Sequence, residues 1–150
     1  MDLYDIEKDK WHSQSTSADS TYPVKTLSGC AAAGSDGRTW EIYMHGSTLE
    51  IPTDKTEYEN QQDIWVLTIP AFHWFRLPTD RNRRPLAGHG CHIVGKQLVT
   101  VSGRPIEEVG GTNKSDEGIY CTNSPFRVYD LEQLKVGYPP LSAPPPWRMY

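Results

Sequence analysis

Apolar positions in this chain recur in short bursts. Thr39 to His45 alternates Trp40, Ile42 and Met44 with Glu41, Tyr43 and His45, the two-residue period of a strand. Asp63-Ile64-Trp65-Val66-Leu67-Thr68-Ile69 is apolar at successive positions, as a strand covered on both faces must be. Leu27 to Ala33, small and apolar, precedes them, and His73 to Leu77 follows after a turn opened by Pro70. A second set of four keeps the same order: His89 to Val94, Gln97 to Ser102, Phe126 to Leu131 and Leu134 to Gly137. Gly34-Ser35-Asp36-Gly37 and Gly95-Lys96 supply hairpin chemistry between the first two runs of each set. No window shows a convincing 3.6-residue period. The pattern predicts an all-β chain.

The runs also repeat. Leu3-Tyr4-Asp5-Ile6-Glu7-Lys8-Asp9-Lys10-Trp11, Val66-Leu67-Thr68-Ile69-Pro70-Ala71-Phe72-His73-Trp74 and Val128-Tyr129-Asp130-Leu131-Glu132-Gln133-Leu134-Lys135-Val136 align. Each is an apolar strand end, a turn, a basic residue or His, and a large apolar residue. The offsets are 63 (11 to 74) and 62 (74 to 136). Independently, Gly29-Cys30-Ala31-Ala32-Ala33-Gly34 and Gly90-Cys91-His92-Ile93-Val94-Gly95 share the spacing G-C-x-x-x-G, 61 residues apart (30 to 91). Two landmarks with one period signal a stacked or radial repeat. Four antiparallel strands with the third buried on both faces suit a propeller blade, whose two faces pack on neighbouring blades.

Leu3-Tyr4-Asp5-Ile6 with Trp11, Gly88-His89-Gly90-Cys91-His92-Ile93-Val94-Gly95, and the strand ends His45-Gly46 and Ser102-Gly103 together resemble Kelch repeats. More narrowly they resemble the Kelch propellers of fungal cell-surface or cell-wall-anchored proteins, over roughly residues 2 to 138. The resemblance implies a partial Kelch β-propeller that binds a protein, or a glycan, without catalysis. It also implies association with the cell surface. There are departures: the Gly-Gly pair that follows the second strand of a Kelch repeat has His45 and Ser102 in its first place, and Val136 replaces the fourth-strand Trp. The period exceeds the roughly 50 residues of a Kelch repeat. The surplus lies at Ser47 to Gln62 and Arg104 to Asn123, connections between second and third strands expected to project from one rim and carry binding.

The 150 residues hold about 2.4 such repeats, whereas a closed propeller takes about four blades or more. The expected organisation is a partial propeller over 1–138, with 1–22 the end of one blade, 23–78 a second blade and 86–138 a third, followed by a proline-rich tail at 139–150. A fragment or truncated form of a larger protein is expected, its missing neighbours being other blades or other chains. An end blade is then expected to expose an apolar face. A truncated product without independent function is the alternative.

Composition narrows the partners. Fifteen basic against 19 acidic side chains give a net charge of −4, which argues against a nucleic-acid binder. No apolar run approaches the roughly 18 residues of a membrane span, and Met1-Asp2-Leu3-Tyr4-Asp5 does not open a signal peptide. Localisation is left to the family resemblance.

His89, Cys91 and His92 invite a metal reading, but strand alternation sends His92 to the opposite face, so no metal or cofactor is expected. A Cys91–Cys121 disulfide would join strands one and three of a meander, about 9.6 Å apart, beyond the roughly 7 Å that a bridge spans, unless the chain folds back at Cys121. Cys30 and Cys91 are expected to be buried free thiols. Asn113-Lys114-Ser115 is an N-glycosylation pattern. Arg81-Asn82-Arg83-Arg84, the only basic cluster, is expected to be a solvated turn between blades. No G-x-S-x-G elbow or phosphate-binding Gly loop is present, and no catalytic residue is nominated. The enzyme alternative is a galactose-oxidase-like copper site, for which no Tyr and His set is matched.

Overall fold

The computed structural model describes residues 1–24, 26–35, 37–47, 52–106 and 126–132. Strand β1 (Asp2–Asp5) turns back into β2 (Lys10–Ser13) as a two-stranded antiparallel sheet with Tyr4 opposite Trp11. A short β3 (Ser17–Ala18) follows. Then β4 (Cys30–Ser35), β5 (Trp40–His45), β6 (Ile64–Ile69) and β7 (His73–Leu77) form an antiparallel meander. β3 adds to its outer edge in parallel with β7, giving the order β3-β7-β6-β5-β4. β8 (Leu86–Ala87) pairs with β11 (Arg104–Pro105), while β9 (Gly90–Val94), β10 (Gln97–Val101) and β12 (Phe126–Asp130) form a second antiparallel sheet. Among the described residues the fold is all-β apart from one helix. The run Leu134 to Gly137, the tail from Pro139, Cys121 and Asn113 lie outside the described residues.

The repeat is visible in the backbone. Asp9 and Phe72, each two residues before its tryptophan, both sit in the left-handed region at φ 53°. Leu67 opposite Trp74 matches Tyr4 opposite Trp11 at the 63-residue offset.

The core lies between the two large sheets. One face of the first blade presents Cys30, Ala32, Tyr43, His45, Ile64, Val66, Phe75 and Leu77, which adjacent strand registers place in rows. It packs on Cys91, Ile93, Leu98 and Tyr129 of the second. Ile64 and Leu98 are fully buried. β6 is buried on both faces from Ile64 to Leu67, as its unbroken apolar run requires. In β5, however, the buried positions are Tyr43 and His45, while the apolar alternates Trp40, Ile42 and Met44 are the more exposed. On the outer face of the second blade Val94, Val101, Phe126 and Val128 are exposed.

A helix, α1 (Lys55–Gln62), stands in the first long connection, where no helical period was predicted. Its buried residues are Tyr58, Asn60, Gln61 and Gln62, so its inward face is largely polar and leaves no apolar stripe to count. What starts it is a cap. The Asp54 carboxylate accepts from the Glu57 amide at 2.8 Å, and Glu57 accepts from the Thr53 amide at 2.8 Å.

Candidate functional site

At the seam between the two blades, strand ends bring together side chains that are distant in sequence. Cys30 opens β4 and Cys91 lies one residue into β9, the same position in successive repeats. Stacked repeats place equivalent Cα atoms side by side, here 5.7 Å apart, and the two sulfurs form a disulfide. This corrects two expectations. Cys30 and Cys91 are not free thiols, and Cys91 is not available to Cys121. Distance within one blade argued against a bridge; the bridge runs between blades instead.

His45 ends β5 in the same row as Cys30. Its Nδ1 lies 2.9 Å from Nε2 of His89, and its Nε2 lies 3.2 Å from the Tyr129 hydroxyl. The three side chains belong to residues 3%, 6% and 5% exposed, so the relay is closed to bulk water. Glycine makes room for it. At Gly46 (φ 113°) an added Cβ would meet His89 Cε1 at 2.4 Å, and at Gly103 (φ 98°) it would meet His89 Cβ at 2.7 Å. Backbone bonds fasten the seam, Ser47 N to Leu86 O at 2.8 Å and Gly88 N to Ser28 O at 2.6 Å.

Burial, then the repulsion of His89 and Arg127, pushes the His45 pKa down to about 3. Burial, then Arg127, pushes His89 down to about 4. Both rings are neutral at pH 7, one proton lies between them, and Nδ1 of His89 is buried with no hydrogen-bond partner among the described residues. Of the sequence candidates His89, Cys91 and His92, the structure gathers the first two with Cys30 and His45. His92 faces out, as strand alternation requires.

The described end of the first long connection, residues 52–62, is held down by buried polar groups. Asp63, fully buried, binds Arg76 Nε at 2.6 Å and both Arg81 terminal nitrogens at 2.8 and 3.0 Å, and accepts from the Thr79 amide at 2.9 Å. Gln62 Nε2 donates to Arg83 O at 2.7 Å, and Ser47 Oγ donates to Gln61. The basic cluster 81–84 is therefore not simply a solvated turn: Arg81 clamps this connection, and the Arg84 carbonyl accepts from Arg127 at 2.6 Å. Thr53, Asp54, Lys55 and Thr56 remain exposed on top.

A Ser, His and Asp also meet at the surface. Ser17 Oγ lies 2.7 Å from Nδ1 of His73, whose Nε2 lies 2.9 Å from Asp19 Oδ1. The Ser17 amide is spent on Phe72 O at 3.0 Å and cannot serve a developing oxyanion. Ser17 and Asp19 are exposed. The trio clasps β3 to β7.

No family model matches the chain. Over 138 residues it is 36% identical to a Kelch repeat-containing protein of Arthroderma benhamiae, an alignment that covers 89% of this chain and 19% of that protein. The chain thus spans about a fifth of the length of this relative.

Proposed function

We propose that this chain, whose repeats are of the Kelch type, is a non-enzymatic interaction module of a larger propeller, binding a protein partner through its second-to-third-strand connections. One observation carries the reading: α1 (Lys55–Gln62), capped by Asp54, is tied from beneath by Gln61, Gln62 and Asp63, so Thr53 to Thr56 are displayed at its start on a fixed platform. Pre-ordered surface binds without the entropy cost of ordering a loop. The Tyr129–His45–His89 cluster does not support the copper-oxidase alternative, because it lies sealed between blades. A glycan is the second class of partner on offer, and cell-surface association follows from the resemblance alone.

The test places a photo-crosslinking residue at position 56 of the full-length parent protein, with position 10 as control. A discrete protein adduct from 56 and none from 10 supports the reading. No adduct from 56, together with bound copper and alcohol oxidation by the purified parent, overturns it. Binding on an array of defined oligosaccharides, lost in Lys55→Glu, would transfer the site to a glycan.

A further inference from the structure

We propose that, when the Cys30–Cys91 disulfide is reduced, the chain binds one zinc-class cation between its two blades, with Cys30, Cys91, His45 and His89 as the four ligands. One ligand atom each from Cys30, His45 and His89 already lies within 4.8 Å of the others. Cys91 Sγ, bonded to Cys30 Sγ, lies outside that group and must swing in once it is released. Tetrahedral zinc, with bonds of about 2.3 Å to sulfur and about 2.05 Å to nitrogen, sets ligand atoms about 3.3–3.8 Å apart. The ring nitrogens, at 2.9 Å, need only part slightly, and the Cys30 sulfur, within 4.8 Å of them, must approach by up to about 1–1.5 Å. Released sulfurs must also separate, which the 5.7 Å between the Cα atoms allows.

The chemistry of the donor set is that of a closed structural site: two thiolates cancel the charge of a divalent cation, and two imidazoles complete four-coordination. The cation would take the place of the proton now lying between the two rings, which passes to the outer nitrogen of its own ring, leaving both imidazoles neutral. Tyr129 then holds the outer nitrogen of His45, the supporting contact that zinc-bound imidazoles require. Among the described residues, Oγ1 of Thr100 is buried without a partner and stands opposite Cys91 in the register, a polar group beside the released sulfurs. Nδ1 of His89 is the outer nitrogen in this arrangement and has no such support, so His89 is the less firmly held of the two imidazoles.

The exchange balances with a named reductant. A phosphine takes oxygen from water to become its oxide, and the disulfide leaves as two thiols. Metal binding then releases one proton from each thiol to solvent. In a cell, two equivalents of a thiol would do the same and leave as their own disulfide.

The experiment uses the full chain carrying Cys121→Ser, reduced with a water-soluble phosphine under argon and titrated with Co²⁺, then Zn²⁺. The expected result is a thiolate-to-cobalt charge-transfer band with tetrahedral visible bands, saturating at one equivalent and bleached by zinc. The oxidised chain shows neither, and His89→Ala weakens binding more than about tenfold. X-ray absorption on the zinc-loaded chain, which needs no ligand variant, should give two sulfur and two nitrogen neighbours. A shell lacking either element, an equal response from the oxidised chain, or no zinc bound by the reduced one overturns the proposal.

Discussion

Cys30 and Cys91, separated by 61 residues, close a covalent ring that encircles most of the first blade and the passage into the second. The loop so closed contains β5, α1, β6, β7 and β8, and its ends lie on an edge strand of each large sheet, β4 and β9. In the chain-entropy account, a loop of roughly 60 residues restricts the unfolded chain by about 4 kcal/mol. Reduction in the presence of a chelator, or Cys30→Ser, should lower the stability read from urea denaturation by about 3–4 kcal/mol. The Cys121→Ser chain should respond in the same way. An unchanged midpoint after reduction would mean that the reduced seam holds by packing alone.

The buried histidines make stability depend on acid. The unfolded rings take up protons near pH 6.5, while the folded ones resist until about pH 3 for His45 and about pH 4 for His89. More protons are bound unfolded than folded across that interval, so stability is fully present above pH 6.5 and falls as pH drops toward 4. By pH 5 the loss should be about 1–2 kcal/mol for each ring. Denaturant midpoints across the range, with His45→Gln as comparison, measure it. A profile that stays flat down to pH 5 in the parent sequence would mean that water reaches the rings.

The strands were legible because a sheet writes its pattern locally. β7 matches its predicted run and β5 and β6 begin one residue late, while β6 announced its double burial by Ile64 to Leu67. The helix was hidden because it buries amides rather than aliphatic groups, although Asp54 and Glu57 stood in the sequence as its cap. The seam was illegible for another reason. Within one repeat, His45 and Cys30 look like ordinary strand residues. Only stacking brings Cys91 and His89 against them, and sequence periodicity gives no distance between blades. The cluster is also absent from the repeat pattern, since Ser102 takes the place of His45 and Ser28 that of His89.

Asp63 is the sharpest single point of failure in the first blade. Its carboxylate is fully buried and meets two guanidinium groups and an amide, while Arg76 and Arg81 are 26% and 41% exposed at their side chains. Asp63→Ala strips both cations of their partner and leaves the Thr79 amide unpaired, but solvent relieves part of the charge. The expected loss is about 3 kcal/mol, against about 1 kcal/mol for Arg81→Ala, which keeps the Arg76 pair. Thermal denaturation of the two variants should rank them in that order. The reverse order would show that Arg81 matters through α1, whose Glu59 carbonyl it also binds at 3.1 Å.

The outer face of the second blade carries the last prediction. Phe126 and Val128 alternate along β12 with Val101 and Val99 across from them, so their side chains share one surface. Phe126 is 55% and Val128 47% exposed, and Val94 on β9 is 56% exposed. The inner face of the same sheet is buried on the first blade, and among the described residues these outer positions stay largely exposed to solvent. Each square ångström hidden from water is worth about 25 cal/mol, which favours pairing of such faces between molecules. Phe126→Lys with Val128→Thr should therefore suppress concentration-dependent self-association in sedimentation velocity. Stability should shift by less than about 1 kcal/mol, because neither side chain is buried in the folded chain. If association persists undiminished, it runs through another surface, and the exposed Tyr4, Ile6 and Trp11 of the β1–β2 hairpin are the next to substitute.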